Sequence, residues 1–143
     1  MTRRLLALAF TAFVALTLWA QEAQKREMRT VWIATVSNID WPQTRGTGTA
    51  TINKQKKQLT DLLDGFVKAN MNSVCLQVRP MADALYKSSY EPWSSYLTGT
   101  RGQDPGWDPL AFAVEECHKR GLEINAWVNP YRYSPKSTKW GQS

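Results

Sequence analysis

Polar and aromatic side chains that can bind a ligand follow two hydrophobic segments of the sequence. They are Gln77 and Arg79 in the segment at 74–80, and Asn129, Tyr131 and Arg132 in the segment at 121–132. Amides offer both donors and acceptors to hydroxyl groups, a guanidinium makes paired directional hydrogen bonds, and an aromatic ring can stack on the apolar face of a sugar. We therefore predict a binding site at these two segment ends. A structural network of buried polar groups bonded to one another is the alternative.

The elements that would position these side chains alternate between strands and helices. Residues 29–37 are rich in β-branched residues and almost continuously hydrophobic, which predicts a strand buried on both faces. After a loop at 38–50, Thr51 is predicted to cap a helix that ends at Asn70 and Asn72. The apolar positions of this helix follow the helical period at Leu59, Leu62, Leu63, Phe66 and Val67.

A second strand is predicted at 73–78, and a long connection from 79 to 107 leads to a second helix. Asp108 and Pro109 are residue types preferred at the N-cap and at the first helical position. Gly121, preceded by two basic residues, is typical of a helix C-terminus. The third strand follows directly, so the order is β-α-β-α-β. That order predicts a parallel sheet whose functional loops gather at the carboxyl ends of the strands, here after Ser37, Arg79 and Asn129.

Alternation of side chains along a strand separates an aliphatic face from a polar one. In the second strand Val74, Leu76 and Val78 share one face, while Cys75, Gln77 and Arg79 share the other. In the third strand Ile124, Ala126 and Val128 oppose Asn125, Trp127 and Asn129. We expect the aliphatic faces to contact the helices and the polar faces to point into a barrel or crevice.

The length of the chain limits the architecture. A closed barrel of eight strands needs about 250 residues, whereas this sequence of 143 residues predicts three strands. It is either a small three-strand α/β unit or the front of a larger domain. Because a three-strand piece exposes apolar strand edges, we expect the second: the N-terminal β-α-β-α-β portion of a larger α/β domain, truncated after the third strand.

The N-terminus has the pattern of a signal peptide. Arg3 and Arg4 precede an apolar run at 5–18, which is too short for a membrane span of roughly 20 residues. The predicted organisation is a signal peptide at 1–20, a polar leader at 21–28 and an incomplete α/β domain at 29–143. We expect export to the periplasm or the exterior of a bacterial cell, with a retained N-terminal anchor as the alternative.

The remaining composition excludes several classes of function. The net charge of +6 is scattered, without a basic run interleaved with aromatics, so nucleic-acid binding is not predicted. His118 is the single histidine and is expected in the last turn of a helix, so neither a metal site nor a cofactor is predicted. Cys75 and Cys117 are not expected to pair, because Cys75 belongs to the face opposite the helices. No membrane contact is predicted beyond the signal segment.

Residues 29–132 carry an ordered series of motifs that resembles the glycosyl hydrolase-like 10 family of bacterial exported proteins. The motifs are RTVWIATVSNIDWP at 29–42, QVRP at 77–80, DALY at 83–86, EPWS at 91–94, WDPL at 107–110, HKRGLE at 118–123 and AWVNPYR at 126–132. They cover nearly the whole chain after the leader but correspond to the N-terminal third or so of the family domain. The resemblance implies a (β/α)8 barrel and a glycoside-hydrolase mechanism acting on carbohydrate, either a polysaccharide or a cell-wall glycan.

On that resemblance, the residues present are expected to position a sugar. The candidate substrate-binding residues are Asn38, Trp41, Gln77, Arg79, Asp83, Trp93, Trp127, Asn129, Tyr131 and Arg132. Some have structural alternatives. Arg79 can pair with Asp83 or Glu91 to hold a loop, and Trp41 and Trp93 can simply pack the loop cores.

Glycoside hydrolysis usually needs two carboxyl groups, and four lie in the predicted functional loops. They are Asp40, Asp83, Glu91 and Asp104. None directly follows a strand, where barrel enzymes tend to place catalytic groups. Asp83 and Glu91 are the catalytic candidates within this chain, and the catalytic pair is otherwise expected beyond Ser143. The 143-residue chain alone is expected to be inactive, and a carbohydrate- or cell-wall-binding protein without catalysis is the alternative function.

Overall fold

The computed structural model describes residues 27–133, which form one three-stranded sheet with helices. The elements are β1 (Thr30–Ile33), a 3-10 turn (Val36–Asn38), α1 (Thr49–Lys68), β2 (Ser73–Arg79), α2 (Ser95–Thr98), α3 (Pro109–Lys119) and β3 (Glu123–Val128). The predicted signal peptide, most of the polar leader and the residues after 133 lie outside the described part.

The three strands are parallel, in the order β1-β2-β3, with β2 at the centre. Ile33 lies opposite Leu76, and Leu76 lies opposite Ala126. The predicted α/β class and parallel sheet are therefore confirmed. Within the described residues no helix is long and apolar enough to cross a membrane.

The core lies between β2 and the helices, as the alternation of side chains predicts. Val74, Leu76 and Val78 are each at most 2% exposed. They share one cluster with residues of α1 and α3, including Leu59, Leu63, Ala113 and Cys117. Each fully buried side chain of Val, Leu or Ile contributes about 1.5–3 kcal/mol. The hydrophobic stripe of α1 and the aliphatic face of β2 are therefore buried against each other.

β1 is shorter than predicted and is not buried on both faces. It ends at Ile33, and Trp32 is 60% exposed. The chain leaves the sheet after Ile33, and Ser37 and Asn38 then adopt positive φ angles of 56° and 55°. The predicted strand at 29–37 is thus wrong in its second half, because hydrophobicity continues there through a turn.

The two long helices differ in how well their starts were predicted. α1 begins at Thr49 after Gly48, and no side chain caps it, so the predicted cap at Thr51 is wrong. α3 begins at Pro109, and the Asp108 carboxylate accepts a hydrogen bond of 2.9 Å from the amide of Ala111, as predicted. Gly121 follows α3 with a φ of +68°.

The long connection after β2 contains structure that the sequence analysis did not predict. Ala84 and Trp93 form an isolated parallel bridge, closed by hydrogen bonds from Ala84 N to Pro92 O and from Ser94 N to Ala84 O. The short helix α2 follows, and the Ser94 hydroxyl accepts a hydrogen bond from Tyr96 N. The bridge and these hydrogen bonds therefore hold the connection between β2 and α2 in a defined conformation.

β3 is exposed along much of its length. Ile124 packs against the core, but Ala126 is exposed and Val128 is 45% exposed. The expected helix contact of this aliphatic face is therefore met only at its start. Both cysteines are free, as predicted.

Candidate functional site

Arg79, the last residue of β2, connects the loops that follow β2 and β3. Its Nε donates to the Glu91 carboxylate at 2.5 Å, its Nη2 also contacts that carboxylate, and its Nη1 donates to the backbone carbonyl of Asn129. The Arg79 and Glu91 side chains are only 17% and 19% exposed. The hydrogen bond to Glu91, opposed by partial burial, raises the pKa of Arg79. Of the two structural alternatives for Arg79, pairing with Asp83 or with Glu91, the structure has the pair with Glu91.

Asn129 completes this connection. Its amide N donates to the carbonyl of Arg79 at 3.0 Å, and its Nδ2 donates to the carbonyl of Pro80 at 3.1 Å. Its Oδ1 accepts a hydrogen bond of 2.8 Å from the indole of Trp127. The side-chain amide of Asn129 therefore links the residues that follow β2 to the end of β3.

The sheet register explains how Arg79 reaches Asn129. Gln77 pairs with Trp127, but Arg79 pairs with Val128, so the register shifts between these two positions of β2. An extra residue in one strand bends it locally and redirects the following side chain. The shift places the Arg79 guanidinium against the first turn after β3.

A pocket of about 330 Å³ lies beside this connection, after the end of β3. Its walls are Trp127, Asn129, Pro130, Tyr131 and Arg132. Tyr131 is 97% exposed, and Arg132 is also exposed. A ring face, a guanidinium and an indole thus border one open depression, a combination suited to a ligand with both hydroxyl groups and an apolar face.

Trp127 also meets an aromatic ring from the far strand. The Trp127 and Trp32 ring centroids are 5.0 Å apart, with an interplanar angle of 71°. Because β1 and β3 lie on opposite sides of β2, the two indoles meet across the central strand, on the face opposite the helices. Trp32 is absent from the sequence-predicted site, since its position inside a hydrophobic run indicates packing.

The side chain of Gln77 binds the backbone of the turn after β1. It is fully buried, and its Oε1 accepts hydrogen bonds from the amides of Thr35 at 3.0 Å and Val36 at 2.9 Å. These bonds hold the turn after β1 over the end of β2. The Gln77 Nε2 is buried without a hydrogen-bond partner. The acceptor side of this amide is therefore occupied by backbone, which matches the predicted structural alternative.

Asn38 is likewise occupied by protein groups. Its Nδ2 donates to the carbonyls of Pro42 and Tyr96, and its Oδ1 accepts a hydrogen bond from Arg45 Nε. It connects the turn after β1 to the loop that carries α2.

The two loop tryptophans lie mainly in the protein interior. Trp41 is 0% exposed, donates a 2.8 Å hydrogen bond to the carbonyl of Gln55, and packs edge-on against Trp107. Trp93 is partly buried against the core. Trp41 has no ring face open to a ligand, so the packing alternative describes it.

The carboxylates near the site are engaged by the protein as well. Asp83 is 2% exposed and accepts a hydrogen bond of 2.8 Å from Met81 N. Burial raises the pKa of Asp83, while hydrogen bonds from Ser94 and Met81 oppose that rise. Glu91 is bound to Arg79, and Asp40 accepts a hydrogen bond from Ala34 N. Residues 27–133 contain no cluster of side chains able to hold a metal ion.

Comparison with known proteins gives this arrangement a family. The model of the family described as "Glycosyl hydrolase-like 10" matches residues 27–141. The chain belongs to the glycosyl hydrolase-like 10 family. It is also 50% identical over 137 residues to "Glycosyl hydrolase YngK" of Bacillus subtilis (strain 168), and 40% identical over 117 residues to "Glycosyl hydrolase DigH" of Escherichia coli (strain K12).

These similarities cover most of this chain and a small part of the relatives. The first alignment includes 95% of the chain and 26% of the relative, and the second 79% and 27%. The chain thus spans about a quarter of the length of the curated relatives that it matches. The resemblance inferred from the motifs is confirmed, and membership of this glycosyl hydrolase-like 10 family supports a carbohydrate-active function in general terms.

Proposed function

We propose that this chain forms the first β-α-β-α-β portion of a (β/α)8 barrel in a glycoside hydrolase. Two observations support the barrel. The strands are parallel and adjacent in sequence order, and β3 leaves Ala126 and Val128 exposed, as expected where a further β-α unit packs. The relatives, which are about three to four times as long as this chain, have room for such units.

The loops after β2 and β3 would form part of the sugar-binding face. The observation that carries this proposal is the pocket after β3, where Tyr131 and Arg132 stand exposed beside Trp127. In this arrangement Tyr131 stacks on a sugar ring, and Arg132 makes paired hydrogen bonds to its oxygens. Arg79 and Asn129 act indirectly, by holding the pocket wall in place.

The carboxyl groups that cleave the glycosidic bond would come from outside the described residues. Asp83 is buried, and Arg79 holds the Glu91 carboxylate through Oε1, so both carboxylates are engaged by the protein. Retaining and inverting mechanisms both require two available carboxyl groups. The same engagement of Asp83 and Glu91 favours carbohydrate binding without hydrolysis as the second candidate function.

The test measures glycan binding and hydrolysis by the full-length protein and by its Tyr131→Ala and Arg132→Ala variants. Soluble cello-, xylo- and chito-oligosaccharides serve as probes. We expect each substitution to weaken binding by roughly threefold to tenfold, the size of one stacking or paired hydrogen-bond contact. Val67→Ala, at an exposed site near the end of α1, is the matched control. Unchanged affinity in both variants would contradict the proposed face, and binding without hydrolysis would favour the second candidate.

Export is part of the same proposal. The pattern at 1–20 supports removal of a signal peptide before the protein reaches the periplasm or the exterior. N-terminal sequencing of the exported protein should begin close to Gln21. A mature protein that keeps residues 1–20 would instead indicate an anchor.

A further inference from the structure

Tyr90, like Tyr131, is an almost fully exposed aromatic residue in a loop that follows a strand. It is 97% exposed, the same fraction as Tyr131. Tyr90 lies in the connection between β2 and α2, about forty positions before Tyr131 in the sequence. An exposed aromatic ring of this kind can stack on the apolar face of a sugar.

The backbone under Tyr90 is held from both sides. The Ser88 hydroxyl accepts hydrogen bonds from the amides of Tyr90 at 3.1 Å and Glu91 at 3.2 Å. The Glu91 carboxylate is in turn bound by Arg79. A ring presented by a turn that is tied down in this way loses little additional conformational entropy when a ligand stacks on it.

The same guanidinium relates Tyr90 to the pocket. Arg79 contacts Glu91, the neighbour of Tyr90, and also contacts the carbonyl of Asn129, two residues before Tyr131. The summed lengths of these links place the Cα atoms of the two tyrosines within about 25 Å of each other. An oligosaccharide of a few units covers such a span.

We propose that Tyr90 is a second carbohydrate-stacking residue, so that one glycan chain rests on Tyr131 and Tyr90 and crosses the Arg79–Glu91 pair between them. The proposal rests on the proposed function and extends it from a single sugar to an extended oligosaccharide. The residues that link the two loops are polar, and the side chains of Arg79 and Glu91 are each about a fifth exposed. Stacking residues separated by hydrogen-bonding groups suit a chain of pyranose rings, which alternate apolar faces with hydroxyl edges.

The test compares Tyr90→Ala with Tyr90→Phe in the full-length protein. Calorimetry measures the Kd for a short and a long member of the oligosaccharide series that the protein binds. For Tyr90→Ala we expect a roughly threefold to tenfold weaker Kd for the long oligosaccharide and little change for the short one. Tyr90→Phe keeps the ring and should retain the affinity for both. Melting temperatures show whether each variant is folded.

The outcomes separate this inference from the proposed function. If Tyr131→Ala weakens binding but Tyr90→Ala changes neither Kd, the second stacking residue is wrong and the sugar-binding face stands. If Tyr90→Ala lowers the melting temperature strongly and leaves the long oligosaccharide bound, Tyr90 packs against another part of the protein and the inference is overturned. If no oligosaccharide of the panel binds, both proposals fail.

Discussion

Arg79 and Asn129 bind each other reciprocally: the Arg79 guanidinium donates to the Asn129 carbonyl, and the Asn129 amide donates to the Arg79 carbonyl. Since Arg79 closes β2 and Asn129 follows β3, this pair joins two loops that are fifty residues apart. Glu91 adds a third loop segment to the same guanidinium. The wall of the candidate sugar pocket is therefore held by one partly buried ion pair.

Breaking the Arg79–Glu91 pair should destabilise the protein. Arg79→Gln or Glu91→Gln leaves one poorly hydrated charge without its partner, which costs on the order of 3 kcal/mol. The double variant should lose less than the sum of the two singles, with a coupling energy of about 1 kcal/mol or more. Urea denaturation of the four proteins measures this cycle. Strict additivity would show that the pair contributes little.

Trp41 should matter for stability and leave sugar binding unaffected. Because the ring is fully buried, Trp41→Ala should reduce the free energy of unfolding by about 3–5 kcal/mol. Trp41→Phe keeps much of the packing but loses the hydrogen bond to Gln55, so its cost should be smaller. Chemical denaturation and glycan affinity measured on Trp41→Phe check both statements. A Kd shift as large as that of Tyr131→Ala would return Trp41 to the binding surface.

Asp83 should give the protein a pH dependence opposite to that of an ordinary ion-paired carboxylate. Burial raises the folded-state pKa of Asp83. Its contribution to stability is therefore complete below the unfolded-state pKa and declines as pH rises through the folded-state pKa. Asp83→Asn removes this titration and keeps an oxygen for Met81 N. The stability of the native protein minus that of the variant should fall as pH increases from acidic to neutral.

Denaturation of the native protein and of Asp83→Asn, from acidic to neutral pH, tests the direction in which their stability difference changes. Glu116 supplies an internal comparison, because hydrogen bonds from Lys119 and Arg120 lower its pKa. The contribution of Glu116 is present above its unfolded-state pKa and is lost as pH falls. A difference between native protein and Asp83→Asn that grows with pH would contradict the assignment for Asp83.

The start of α3 depends on the Asp108 cap. Asp108→Ala removes the acceptor for Ala111 N and should cost about 1 kcal/mol, whereas Asp108→Asn should retain most of the stability. Thermal or urea denaturation of the two variants distinguishes a capping role from a charge effect. Equal losses in both variants would indicate that the carboxylate charge, acting on the helix dipole, is the important property.

Local sequence signals predicted the features that depend on residues close together in the sequence, such as helix ends and the faces of a strand. The Asp108-Pro109 start and the Gly121 end of α3 are correct because a cap is made within one helical turn. The aliphatic face of β2 is also correct, since alternation is intrinsic to an extended chain. Thr51 failed as a cap because α1 already starts at Thr49, without any side-chain cap.

The sequence by itself determined the parallel β-α-β-α-β order and the two strand ends at which Arg79 and Asn129 lie. Tertiary structure alone decided which polar and aromatic groups face solvent. Gln77 binds backbone 42 residues away, Trp41 is enclosed by α1 and Trp107, and Tyr131 remains exposed. The physical reason is that loops distant in the sequence determine whether a side chain binds protein groups or remains exposed to solvent. A local sequence pattern does not predict those long-range contacts.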